Sequence, residues 1–219
     1  TEVLLAAWLN WGSDCLTHLN GMFAFCVYDT VERTAFFARD RFGQKPIFFA
    51  HIDDRLAFAS EIKSLLAAGV AAKPDRRTWS RYLASASYDD DESTFFEGVT
   101  QLLPGEFALW RPGAKSQRRR YYRVIDHIEP CDLSPELAAG AVRELMVDAA
   151  KVHMRADVPV AVSLSGGLDS SALLTCLDLA GQLHSGVECL SVEFGGDLTE
   201  RPWIQAAAGH YGLPTRIHT

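Results

Sequence analysis

At 219 residues, 48% hydrophobic and 22% charged, the chain can hold one large or two small globular domains around a real core. Its formal net charge of −7 argues against general affinity for a nucleic-acid backbone or an anionic membrane. No apolar stretch reaches the length of a membrane span, and no secretory leader is legible.

Residues 2–9 carry helical spacing, with Val3, Leu4, Ala7 and Trp8 on one stripe. Four short runs rich in aromatic and β-branched residues follow: "GMFAFCVYD", "TAFFARD", "KPIFFAH" and "RLAFAS". Turn residues separate them, so they predict a meander of hairpins in one antiparallel sheet. "SEIKSLLAAG" predicts a short helix with Ser60 as N-cap and Gly69 just past its end. "LLPGEFALWRPG" then reads as a turn and a strand.

From Arg111 to Asp132 the chain is rich in Pro, Gly and charge, and the linker is placed at residues 116–133. The basic run "RRRYYR", Arg118 to Arg123, stands alone in an acidic chain and reads as a solvated segment rather than a nucleic-acid site. From Ser134 the pattern changes. A long helix opens at Ser134-Pro135 and runs to about Arg155. The strand "VPVAVSL", a helix from Asp169 to about Ala180, the strand "VECLSVEF", the helix "RPWIQAAAGHYG" and a third strand follow. Near-continuous apolar strands alternating with helices predict a parallel sheet. The class thus changes from antiparallel α+β over residues 1–115 to parallel α/β over residues 134–219.

Cysteines 15, 26, 131, 176 and 189 are odd in number and form no CxxC pair. Several lie in apolar runs, which predicts buried free thiols in a reducing cytoplasm.

"SLSGGLDSS", residues 163–171, is the chemical centre of the sequence. It falls where the first parallel strand hands over to a helix, the place where α/β folds bind ligands. Its glycines permit a tight turn and close ligand approach. The following helix points unpaired N–H groups at that turn, which suits a phosphate or pyrophosphate. Ser165, Ser170 and Ser171 add hydroxyls. The run lacks the GKS or GKT of a Walker A loop and the spacing of GxGxxG. Asp169 would repel phosphate unless a cation lay between, which points to Mg²⁺. The bland alternative makes Asp169 the N-cap of the helix.

SGGLDSS resembles the signature of the PP-loop ATP pyrophosphatases. "LNGMFAFCVYD", "ARDRFGQKPIFFA", "FASEIKSLLAAG", "LPGEFALW" and "RRYYR" resemble, in order, the amidotransferase domain and linker of the glutamine-hydrolysing asparagine synthetases. The resemblance implies an Ntn-type amidotransferase domain, of partial extent, followed by part of a PP-loop ATP-binding domain. It implies ATP and Mg²⁺ as cofactors, and aspartate, glutamine and ATP as small-molecule substrates. Aspartate would be activated as an acyl-adenylate with release of pyrophosphate, and ammonia from glutamine would displace AMP. A cytoplasmic location is expected, and a homodimer is compatible with the resemblance.

On this resemblance Ser165, Gly166, Gly167, Asp169, Ser170 and Ser171 form the pyrophosphate loop, Asp169 is a Mg²⁺ ligand, and Leu164 and Val192 flank the nucleotide. Arg39, Asp40, Arg41 and Gly43 match a family motif but read as a structural turn with buried ion pairs. Ser60, Glu61 and Lys63 read as a cap and a solvated helix face. The family's amino-terminal cysteine nucleophile has no counterpart, because Cys15 and Cys26 lie within secondary structure. Both ends read as cut through domains, so the chain alone is expected to turn over neither glutamine nor aspartate. The alternatives are a ring-closing relative without glutaminase activity, such as a lasso-peptide cyclase or β-lactam synthetase, and a non-catalytic ATP-binding relic. Trp203 stands where an asparagine synthetase would carry a small or tyrosyl residue, which raises the cyclase alternative; a core tryptophan is the bland explanation.

Overall fold

The computed structural model describes residues 1–114, 116–184, 186–193 and 199–218. They form two compact units, Thr1–Glu129 and Pro130–Thr219.

The first unit begins with helix α1 (Glu2–Trp11), a 3₁₀ turn at Gly12–Asp14 and the short helix α2 (Cys15–His18). Strands β1 (Ala24–Asp29), β2 (Thr34–Arg39), β3 (Phe48–Ile52) and β4 (Arg55–Ala59) come next. Helices α3 (Ile62–Ala67) and α4 (Arg76–Ser85) precede β5 (Val99–Gln101), β6 (Glu106–Trp110) and β7 (Gln117–Arg120). The four predicted runs are strands, but they do not share one meander. They divide into two antiparallel sheets, ordered β1-β2-β6-β7 and β4-β3-β5.

The reason lies in β2, which is buried along nearly its whole length. Successive strand residues point to opposite faces. Ala35 and Phe37 pack with Ile47, Phe49 and Ala108 between the two sheets. Phe36 and Ala38 pack on the other face with Ala7, Cys15 and Leu16 of the helices. Beyond the second sheet, Leu65 of α3 packs on Ala50 and Val99. A run apolar on both faces therefore builds a four-layer helix–sheet–sheet–helix arrangement. Phe37 anchors its middle, with edge-on contacts to Phe49 at 5.0 Å and Phe58 at 4.9 Å.

Three local readings change. The N-cap of α3 is Glu61, not Ser60, and no side chain caps it; Glu61 instead pairs with Lys63 on the exposed helix face. Helix α4 was not legible because its composition is polar, yet Asp75 caps it, accepting from Thr78 N at 2.8 Å. Strand β7 lies inside the span read as linker and pairs with β6 from Glu106↔Arg120 to Leu109↔Gln117. Its Arg118 binds Thr100 Oγ1 and the Gln101 carbonyl at 3.0 Å each, and Arg120 pairs with Glu106 at 3.0 Å. The basic run is thereby engaged within the unit.

In the second unit, α5 (Pro135–His153) has Ser134 as N-cap, accepting from Leu137 N, and proline at its first position. Strand β8 (Ala161–Ser163), helix α6 (Leu168–Leu179), β9 (Glu188–Val192), α7 (Arg201–His210) and β10 (Thr215–His218) follow. The strands form a parallel sheet ordered β10-β9-β8, so the change from antiparallel to parallel sheet is borne out. Strand β8 is shorter than its apolar run, since Pro159 has no N–H for the ladder. Phe194, at the end of the second predicted strand, lies outside the described residues. Val162, Leu164, Leu174, Leu177, Cys189 and Ile204 form the core. No described helix is long and apolar enough to cross a membrane.

All five cysteines are free; Cys15, Cys176 and Cys189 are buried, Cys26 is half-buried and Cys131 is exposed. Burial pushes the Cys26 thiol up to about 11 and raises Cys189. Burial also raises Cys15, with the nearby Asp14 carboxylate adding to the effect. The thiolate is the nucleophile, so iodoacetamide at pH 8 should label Cys131 well before these three in the folded protein. Equal labelling at all five, read by mass spectrometry, would contradict that order.

Candidate nucleotide loop

The loop begins where β8 ends. Leu164 is 1% exposed and belongs to the core. Its backbone is tied to β9 on both sides: Leu164 N donates to Leu190 O at 2.9 Å, and Ser191 Oγ donates to Leu164 O at 2.6 Å. A buried serine inside the apolar run "CLSVEF" was the signal for that second bond, because a buried hydroxyl needs a partner. Val192, at the end of β9, is 59% exposed. Of the two predicted nucleotide flanks, one is thus a core residue and the other a surface residue.

Residues 165–170 are folded by their own hydroxyls. Ser165 Oγ accepts from Gly167 N at 3.3 Å and lies 3.2 Å from Ser170 Oγ. Ser170 Oγ accepts from Ser165 N at 3.3 Å and donates to Gly167 O at 3.2 Å. These bonds hold the turn in shape. Ser171 N donates to Gly167 O at 3.1 Å, the first bond of α6.

The N-cap of α6 is Gly167, and among the described residues no side chain caps the helix. The first-turn amides of Leu168, Asp169 and Ser170 precede the intrahelical ladder, so this end keeps its partial positive charge and its donors. Asp169 is exposed at the second helical position. It is not the N-cap; a first-turn carboxylate also complements the helix dipole, and its exposure leaves it open to a cation.

Gly166 has φ +78°, a conformation that favours glycine. It also packs on α7. A Cβ on Gly166 would lie 2.8 Å from Trp203 Cβ, 3.0 Å from Ile204 N and 3.3 Å from Glu200 O. This contact was not legible in the sequence, where Trp203 stands 37 positions away. Trp203 itself is 67% exposed beside the loop, so it is a surface residue and not a core tryptophan.

Among the described residues, no group of three or more His, Cys, Asp or Glu side chains could hold a metal ion. Mg²⁺ typically takes one or two carboxylates and completes its shell with waters and substrate phosphates. A single Asp169 beside free amides and hydroxyls fits a Mg²⁺ that arrives with a nucleotide, not one held by protein alone.

In the first unit, Arg39 and Asp40 form a buried turn, but their recorded hydrogen bonds are not to each other. Asp40 is 1% exposed. Its Oδ1 accepts from Phe42 N at 3.1 Å and Gln44 N at 3.0 Å, and its Oδ2 from Lys45 N at 2.9 Å and Phe23 N at 3.3 Å. Arg39 donates to the carbonyls of Leu102 at 2.6 Å, Gly43 at 2.7 Å and Lys45 at 3.0 Å, and to Gln101 Oε1 at 3.0 Å. The reading as buried ion pairs is therefore replaced by charge-assisted bonds to backbone. Gly43 completes the turn at φ +66°, with Pro104 Cγ 2.7 Å from where a Cβ would sit. Arg41 lies over the Tyr122 ring, 5.2 Å from its centroid, and donates to Thr17 O at 3.1 Å. All four residues act on the fold.

Residues 1–122 match the family model of the glutamine amidotransferase domain, and residues 141–219 match that of asparagine synthase. The chain is similar to the amidase chyE of Penicillium rubens, 32% identical over 209 residues, which is 90% of this chain and 30% of that protein. It is 35% identical over 207 residues to the amidase chry2 of Gibberella zeae, covering 88% of this chain and 30% of that protein. It is 33% identical over 194 residues to the glutamine-hydrolysing asparagine synthetase 1 of Bacillus subtilis, covering 89% and 30%. The chain spans less than a third of the length of these curated relatives.

Proposed function

The chain belongs to the asparagine synthetase family, and from that premise we propose that residues 165–171 bind the polyphosphate of ATP in an amide-forming ligase. The observation that carries the reading is the uncapped amino end of α6 behind a hydroxyl-braced turn, with Asp169 exposed at its second position. Amides of Leu168, Asp169 and Ser170 would take phosphate oxygens, and the Ser171 hydroxyl would add a donor; those of Ser165 and Ser170 would add theirs by exchanging their bonds within the turn for the ligand. Asp169 would hold Mg²⁺, which supplies neutralisation of the polyphosphate charge. Leu164 would support the loop from the core, and Val192 would offer an apolar contact to the nucleotide.

The chemistry in the whole protein is an attack by the aspartate carboxylate on the α-phosphorus of ATP. The bond to the bridging oxygen breaks, pyrophosphate leaves, and an aspartyl-adenylate forms. Ammonia from glutamine then attacks the acyl carbon and AMP leaves with the electron pair. Positioning and charge neutralisation are the main contributions this loop can make. In whole protein supplied with ATP, Mg²⁺, aspartate and glutamine, asparagine, AMP and pyrophosphate should appear in equal amounts. Absence of aspartate-dependent pyrophosphate release would overturn the reading.

The exposed Trp203 beside the loop supports a second reading, in which the same adenylation acts on a different carboxylate. ATP-dependent pyrophosphate release with another acceptor, and none with aspartate, would select it.

A further inference from the structure

The nucleotide loop is held by more than its own hydroxyls. Gly166 rests on the first turn of α7, touching the positions of Glu200, Trp203 and Ile204. That turn is fastened to the end of β9 by Glu193, the residue after Val192. Glu193 Oε2 accepts from Arg201 Nε at 2.7 Å, and Arg201 Nη2 lies 2.6 Å from the same oxygen. Glu193 Oε1 accepts from Thr199 Oγ1. The Glu193 backbone is also fixed, its N–H donating to His218 O at 2.8 Å in β10. The carboxylate is 9% exposed and the Arg201 side chain 44%.

Two guanidinium nitrogens converging on one carboxylate oxygen, with Thr199 on the other, fix direction as well as distance. Glycine at 166 leaves no side chain to cushion a shift of the α7 turn, so displacement of that turn passes to the loop backbone. A partly exposed ion pair of this kind contributes little to global stability, which leaves local geometry as its main effect.

We propose that Glu193 and Arg201 are positioning residues for the nucleotide loop, fixing the first turn of α7 at the end of β9 and, through that turn, Gly166. The inference rests on the reading of residues 165–171 as the ATP loop. Neither residue needs to touch the nucleotide.

The test is calorimetric titration of MgATP into the whole protein as wild type, Glu193→Gln, Arg201→Gln, the double variant and Arg201→Lys. Each single loss should weaken binding about five- to tenfold, and the double variant should be no weaker than either single one. Arg201→Lys, which keeps the charge but loses the second nitrogen, should fall between wild type and Arg201→Gln. Melting temperatures should stay within about 2 °C of wild type. Unchanged affinity in the single variants, or strictly additive losses in the double one, would overturn the proposal while leaving the ATP loop standing. Affinity losses matched by large drops in melting temperature would also overturn it, as a purely structural effect. If wild type binds no MgATP, the reading of the loop itself fails and the inference goes with it.

Discussion

Asp40→Asn should destabilise the first unit by about 3 kcal/mol, and Asp40→Ala by about 4 kcal/mol. The buried carboxylate accepts four backbone N–H groups from residues 23, 42, 44 and 45. An asparagine keeps one acceptor oxygen but turns an amide against the donors of the other. Alanine strands all four in a site where the residue is 1% exposed. Urea unfolding followed by tryptophan fluorescence measures the loss; a change under 1 kcal/mol (about fivefold in the folding constant) would contradict it. The same group gives a pH dependence. Burial pushes the Asp40 carboxyl up, but the four backbone donors outweigh burial and hold it below the usual carboxylate range. Its contribution is therefore complete above about pH 4, the unfolded value, and is lost as pH falls through the lower folded value. Asp40→Asn should lack that part of the acid transition.

The two adjacent glycines of the loop should respond oppositely to alanine. At Gly166 the backbone is at φ +78°, and the new methyl would meet Trp203 Cβ at 2.8 Å and the Ile204 backbone nitrogen at 3.0 Å. Conformational strain and the clash together should cost about 2–4 kcal/mol and displace the loop enough to abolish measurable MgATP binding. At Gly167, φ is −75° and, among the described residues, only the Ser165 hydroxyl lies near the new methyl, at 3.3 Å. Gly167→Ala should change stability by less than about 1 kcal/mol. Thermal unfolding of both variants side by side decides the matter. Equal stability would mean that the packing of Gly166 on α7 is not a constraint.

Much of the fold was legible because its strands announce themselves by chemistry. The apolar runs around Phe36, Phe37, Phe49 and Cys189 are strands, and the switch to a parallel sheet follows from helices placed between apolar runs. The division of the first unit into two sheets was not legible, since strand order is set by pairings such as Ala38↔Phe107 that join distant segments. Helix α4 escaped because a capped polar helix carries little apolar stripe, and it ends on Ala86 at φ +54° where a glycine would have marked the stop. Strand β7 escaped because arginines hid a ladder held by backbone bonds. At the loop, the residue types and spacing of SGGLDSS were sufficient to find the turn. Of its supports only Ser191 left a signal, a serine inside an apolar run; Glu193, Arg201 and Trp203 reach the turn only through the fold.

On the proposed function, the loop takes a nucleotide polyphosphate with Mg²⁺ at Asp169. Equilibrium binding of ATP to wild type and Asp169→Asn, each with and without Mg²⁺, tests it most directly. Mg²⁺ should strengthen wild-type binding about tenfold or more and leave the variant unchanged. Identical Mg²⁺ dependence in the two proteins, or no ATP binding by wild type, would contradict it.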